Sequence, residues 1–141
     1  MKARQVLKAR LCWVVLLAAA LWACGGREAR PSRAAAELDA FTEELVRKVE
    51  GAGDAAAGVA EARKLLGARR EELRATVLAV RRSGEYGRGG AERERWEERE
   101  SENVFRVSGL RTKYMTRAME DAAFRSELDA LVADYQKLFE P

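Results

Sequence analysis

From residue 34 onward the apolar side chains recur every three or four positions, the period that turns one face of an α-helix toward a core. Leu38, Phe41, Leu45 and Val49 mark the first such face and predict a helix over 34–50. Gly51-Ala52-Gly53 supplies the permissive residues a helix end needs, and Asp54 is placed to cap the next helix by accepting backbone N–H bonds. Val59, Ala62, Leu66, Leu73, Val77 and Val80, widened by Leu65 and Leu78, predict a second helix over 55–82, weakened locally by Gly58 and Gly67. Residues 83–90 (SGEYGRGG) hold four glycines and predict a loop. A third helix is predicted over 91–119. Its first half, AERERWEERESEN, is nearly all charge with Trp96 as the one large apolar residue, so only the second half, with Val104, Val107, Leu110, Tyr114 and Ala118, has much to bury. Phe124, Leu128, Leu131, Tyr135 and Leu138, behind Asp121 as cap, predict a fourth helix over 122–139. No segment alternates with the period of a strand.

These lengths predict a shape. The second and third helices, at about 28 residues, would each run about 42 Å, and the outer two, at 17 or 18 residues, about 26 Å. The expected fold is all-α: a four-helix bundle at the base, with the second and third helices continuing as a long charged hairpin that ends in the glycine loop. Pairing across that loop sets Val77 opposite Trp96 and brings Arg81 and Arg82 to Glu92 and Glu94, and Arg74 to Glu98. Such exposed ion pairs bias a register more than they hold a fold.

Ahead of residue 34 the pattern is different. Lys2, Arg4, Lys8 and Arg10 precede an uncharged apolar run from Leu11 to Ala23, LCWVVLLAAALWA, of 13 residues. That is short against the roughly 20 residues a bilayer-spanning helix needs, and reads as the h-region of an export signal. The run closes on Leu21-Trp22-Ala23-Cys24, followed by Gly25-Gly26. This resembles the lipobox of bacterial lipoproteins: Leu at −3, a small residue at −1 and Cys at +1, with Trp22 bulky where that family carries a small residue. The resemblance implies cleavage before Cys24, lipid attached to its thiol, and a lipid-anchored envelope protein; Gly25 at +2, rather than Asp, implies the outer membrane, facing the periplasm. Two other outcomes stay open, cleavage by the ordinary signal peptidase and an uncleaved anchor with Trp13 and Trp22 at its ends. The organisation expected is therefore a signal peptide over 1–23, the lipidated cysteine and a tether (CGGREARPSR) over 24–33, and a helical domain over 34–141.

Export changes the meaning of the composition. The whole chain has 26 basic and 23 acidic residues and a net charge of +3. Four of the basic residues precede Cys24 and none of the acidic ones do, which leaves 22 against 23 and a mature charge of −1. The net positive field that nucleic-acid binding needs is absent. Cys12 leaves with the signal and Cys24 is acylated, so no disulfide can form. Histidine is absent, which excludes Ser-His triads, His-ligated haem and the common zinc sites. No cofactor and no metal site is expected, and no serine stands in a recognisable nucleophile motif.

Glu94, Glu98 and Glu102 share a helix face, the spacing on which carboxylate metal sites are built in bundles, but they lack the accompanying Glu-x-x-His, and Arg95 and Arg99 lie within a turn. A solvated, ion-paired face is expected. Tyr86 and Arg88 in the glycine loop are the candidate interaction tip, with Trp96 either a partner anchor or a cover for the hairpin seam against Val77. Met115 and Met119 are expected in or beside the core. The function expected is a non-enzymatic, lipid-anchored helical module that binds an envelope protein, with self-association also open; the alternative is a periplasmic chaperone or stress sensor.

Overall fold

The computed structural model describes residues 30–141, and every described helix is α, with no strand among the described residues. The signal segment and Cys24 lie outside the described residues. Six helices follow in order: α1 (Pro31–Glu50), α2 (Ala55–Arg82), α3 (Gly84–Gly87), α4 (Ala91–Lys113), α5 (Met115–Glu120) and α6 (Ala122–Gln136).

α1 starts three residues before the predicted boundary. Pro31 occupies its first turn, where the fixed φ suits a helix and the missing N–H has no partner to lose. Residues 31–33, assigned to the tether, are therefore helical, and Pro31 and Ala34 are buried. α2 has the predicted bounds, with the Asp54 side chain accepting from the Ala57 N–H at 3.1 Å. Gly58 is a close-packing site as well as a weak helix former. A Cβ there would stand 2.8 Å from the Lys48 and Val49 carbonyl oxygens, so its absence lets α2 approach the end of α1.

The segment 83–90 is not the irregular loop its glycines predict. Ser83 caps a single turn, α3, by accepting from the Tyr86 N–H at 3.2 Å, and only Gly89 and Gly90 use positive φ, at 70° and 75°. The third predicted helix breaks at Tyr114 (φ −104°, ψ 18°), with Tyr114 N–H still bonded to Leu110 O and Ala118 N–H to Tyr114 O, so α5 continues α4 with a local distortion. Asp121 caps α6 through the Phe124 N–H at 2.9 Å. α6 ends at Gln136, and Leu138 and Phe139 fold under in the turn that follows.

Among the four long helices, α1 packs on α2 and α4, and α6 packs on the same two. That sets α2 across the core from α4, and α1 across from α6. The neighbours α1/α2 and α4/α6 are antiparallel, the second shown by Arg111 Nε donating to Asp129 at 2.7 Å. The other neighbours are parallel. Asp39 meets Asn103 and Glu50 meets Lys113, while Arg63 meets Glu127 and Arg70 meets Asp134. Hydrogen-bonded partners across this seam stand 63 to 65 residues apart in the chain, at Asp54–Arg117, Asp39–Asn103, Arg63–Glu127 and Val49–Tyr114. The domain is thus two antiparallel hairpins laid one on the other, linked by the diagonal crossing at α3.

The long charged hairpin predicted from the second and third helices is therefore not formed. The first half of α4 exposes charge around most of its circumference and offers α2 only Trp96 as a large apolar contact, too little for a self-sufficient pair. α1 reaches far enough to cover it instead. The predicted register fails with it: Arg81 pairs with Glu100 at 2.9 Å, about two turns further along α4 than Glu92.

Every residue of the predicted faces of the first two helices, from Leu38 through Val80, is buried apart from Leu65 and Leu78, which are partly so. Buried side chains of this size contribute about 1.5–3 kcal/mol each before the entropy of ordering them is subtracted. Two polar contacts cross the interior. Thr42 donates its hydroxyl to Leu38 O at 2.8 Å and accepts from the Tyr135 hydroxyl on the facing helix, and Asn103 Nδ2 donates to Asp39 Oδ1 at 2.6 Å.

Candidate interaction surface

The three residues singled out for a tip all lie at the α3 end, but the structure turns two of them inward. Trp96 is 2 % exposed. Its indole N–H donates to Glu100 Oε2 at 3.2 Å, and the same carboxylate accepts twice from Arg81 Nη2, at 2.9 and 3.1 Å. By the antiparallel α4/α6 register, residue 96 lies beyond the level of Gln136, where α6 ends. There α1, α2 and α4 close without α6, and the indole fills the space. Trp96 is thus a core residue in one cluster with Val77 and Val80, and the reading of it as a surface anchor is corrected by this burial.

Tyr86 is half-buried. Its hydroxyl donates to Glu97 Oε1 at 3.0 Å, and the Arg93 guanidinium lies over its ring at 5.2 Å while Arg93 Nε donates to Glu97 at 2.8 Å. Burial, then the Glu97 carboxylate, pushes the Tyr86 phenol above its ordinary range, and the bonds from Arg93 and Tyr86 hold Glu97 below that of a free carboxylate. Arg88 alone of the three points outward, with no ion pair among the described residues. It shares an open cleft of 540 Å³ with Glu85, Gly89 and Glu92, and also with Arg30 and Ser32 from the start of α1. The tip is therefore the end at which α1 begins, a relation sequence reading did not supply.

Glu94, Glu98 and Glu102 are exposed along one face of α4. Glu102 accepts from Arg99 at 3.2 Å, and no cluster of three or more metal-ligating side chains is present among the described residues. The three acids are spread along the helix and do not converge on a point.

The structure also brings forward a surface that sequence reading missed. Phe105 is 78 % exposed, Met115 56 % and Met119 69 %, which corrects the expected placement of the methionines in or beside the core. Beyond the distortion at Tyr114, α5 packs beside α6, and Met115, Ala118, Met119 and Leu128 line a shallow groove of 190 Å³ rimmed by Arg111, Arg125 and Asp129. Phe105 had a legible signal. Asn103, Val107 and Leu110 fix the inward direction of α4, and at 100° per residue Phe105 falls about half a turn away from them.

Comparison with protein families, with characterised proteins and with solved structures found nothing that this chain matches.

Proposed function

We propose that this protein is an exported lipoprotein, anchored through lipid on Cys24 in the cell envelope, at the outer membrane facing the periplasm, whose helical domain is a non-catalytic protein-interaction module. The domain is read as a four-helix bundle that thins to three helices toward α3. The observation that carries the reading is where α1 begins. Arg30 lies beside Arg88 and Gly89, and the six residues back to Cys24 reach at most about 20 Å when extended. Lipid on Cys24 then holds the α3 end against the bilayer and directs the α5 end, with its exposed Met115 and Met119, into the aqueous space. An anchor of two or three acyl chains gives attachment that hardly reverses, at about 0.8 kcal/mol per buried methylene.

The test is fractionation of cells making the full chain, with mass spectrometry of the N-terminal peptide. Acylated Cys24 as the first residue, and release of Cys24→Ser from the membrane fraction, are the expected results. A chain that begins elsewhere, or a Cys24→Ser variant still firmly membrane-bound, removes the anchor reading.

A second reading, a periplasmic chaperone or stress sensor, is favoured by one observation: paired exposed methionines are adaptable contacts suited to varied apolar clients. It predicts capture of many unrelated clients by a photo-crosslinker at Met119, where the first predicts one dominant partner.

A further inference from the structure

We infer that the cleft between α2 and α6 binds the phosphoryl group of a soluble phosphomonoester, held by Arg63 and Arg70 beside the bare backbone at Gly67. The site goes beyond the interaction-module reading and does not depend on the anchor.

Gly67 stands in the middle of α2, where a glycine weakens a helix relative to alanine. At Gly58 the missing side chain admits the end of α1, but at Gly67 a Cβ would meet nothing within 4 Å, and the residue is exposed. Its φ is not positive, so neither backbone conformation nor packing among the described residues calls for a glycine there. Its place in the surface does. Gly67 lines a cleft of 310 Å³ together with Arg63, Lys64, Leu66, Arg70 and Asp134. At 100° per residue, Arg63, Gly67 and Arg70 fall within an arc of about 60° on α2, and Arg74 continues that arc one turn on. Without a side chain at 67, a group can lie against the helix between the two guanidiniums.

The cations are gathered here but not used up. Arg63 Nη2 stands 4.0 Å from Asp134 Oδ2 and Arg70 Nη2 3.9 Å from Asp134 Oδ1, both beyond hydrogen-bond distance. Lys137 is the group that closes on that carboxylate, at 3.0 Å, and Arg63 spends its Nη1 on Glu127. Those two acids are thereby matched by Lys137 and Arg63. Lys64 and Arg70 remain in excess, and Arg70 donates no hydrogen bond among the described residues. Other clefts lack this excess. Arg30 and Arg88 face Glu85 and Glu92 at the α3 end, and Arg47 and Lys48 face Glu44 and Glu61 at the turn between α1 and α2.

The geometry selects the ligand class. Guanidinium forks match the oxygens of carboxylates and phosphoryl groups alike, but two cations in excess favour the more highly charged phosphomonoester, with its three acceptor oxygens. The cleft exceeds what a bare phosphate fills and leaves room for the organic body that carries it. Both guanidiniums are about one-third exposed, so the attraction is screened and binding weakens as salt rises.

The test uses the full chain extracted from membranes in mild detergent and exchanged into phosphate-free buffer. Arginines are modified with phenylglyoxal and mapped by mass spectrometry in the presence of glycerol 3-phosphate, inorganic phosphate, or sodium chloride at equal ionic strength. The expected result is several-fold protection of Arg63 and Arg70 by both phosphates and not by chloride, with exposed Arg106 on α4 unprotected throughout. Arg70→Gln should weaken the calorimetric affinity for glycerol 3-phosphate about tenfold. Gly67→Ala separates binding from folding. Its methyl enters open space, so thermal unfolding followed by circular dichroism should move upward, while the same methyl takes the phosphoryl position and lowers affinity several-fold. A purely structural residue would change stability and leave affinity alone. Full affinity in Gly67→Ala, or protection of Arg63 and Arg70 no greater than that of Arg106 or no greater than chloride gives, overturns the site. Stronger protection by dihexanoyl phosphatidylglycerol than by glycerol 3-phosphate would overturn the soluble phosphomonoester and move the assignment to a lipid headgroup.

Discussion

The two ends of the domain differ in a way their compositions invert. The α3 end is rich in glycine and charge, yet it closes over Trp96 and holds Tyr86 between Arg93 and Glu97. At the α5 end the sequence offers Tyr114, Met115 and Met119 in a helical period, yet both methionines face solvent. What decides burial is what arrives from elsewhere in the chain. α1 extends to the α3 end and covers it, while α6 starts beside α5 and packs along one side of it, leaving the other side bare.

Substitutions on the covered and the bare surfaces should therefore differ sharply. Trp96→Ala should have the largest effect, a loss of about 3–5 kcal/mol in denaturant unfolding, because a void opens where only three helices meet. Phe105→Ala, nominally a comparable truncation of an aromatic on the same helix, should stay within about 0.5 kcal/mol of the parent. Similar losses for the two would break the comparison. The α5 end depends on a backbone approach instead. Gly58→Ala places a methyl 2.8 Å from two carbonyl oxygens and should cost about 1–3 kcal/mol, with the helix turn at 51–54 becoming more accessible to amide exchange.

A smaller effect sharpens the picture of the middle, between the ends. Burial pushes the Tyr135 phenol well above its ordinary value of 10. The unfolded chain then releases that proton first, so the folded state binds more protons above pH 10 and stability falls as pH rises. The contribution is fully present below pH 10. Tyr135→Phe should cost about 1 kcal/mol at neutral pH, through the lost bond to Thr42, and should make the alkaline loss measured by urea titration shallower.

How much of this the sequence held varied with the range of the interaction. Asp54 and Asp121 were legible as caps because capping is local, a matter of three residues, and both bonds are present. The buried faces of α1 and α2 were legible for the same reason. The partner of each helix was not. A period of 3.6 names an inward direction but not which neighbour lies there, and matched length and consecutive order pointed to pairing α2 with α4. The diagonal crossing depends on α3, a turn set by Ser83, and four glycines in eight residues hid it. Trp96 among charges was compatible with either placement, and only the early end of α6 makes room for it. Phe105 was legible only by its angle, as a lone apolar residue opposite the side that Asn103, Val107 and Leu110 turn inward.

The parallel seam has an electrical consequence. Aligned peptide dipoles leave about half a positive charge at the start of each helix and half a negative one at its end. In an alternating bundle these poles cancel between neighbours. Here α1 and α4 run side by side in the same direction and both begin at the α3 end, where only α2 terminates, its last turn already neutralised by Arg81 and Arg82, while α6 stops short at Gln136. Glu92 and Glu94 in the first turn of α4 offset its share, whereas α1 has no acid in its first turn, so the uncompensated positive start at this end is that of α1, beside Arg88.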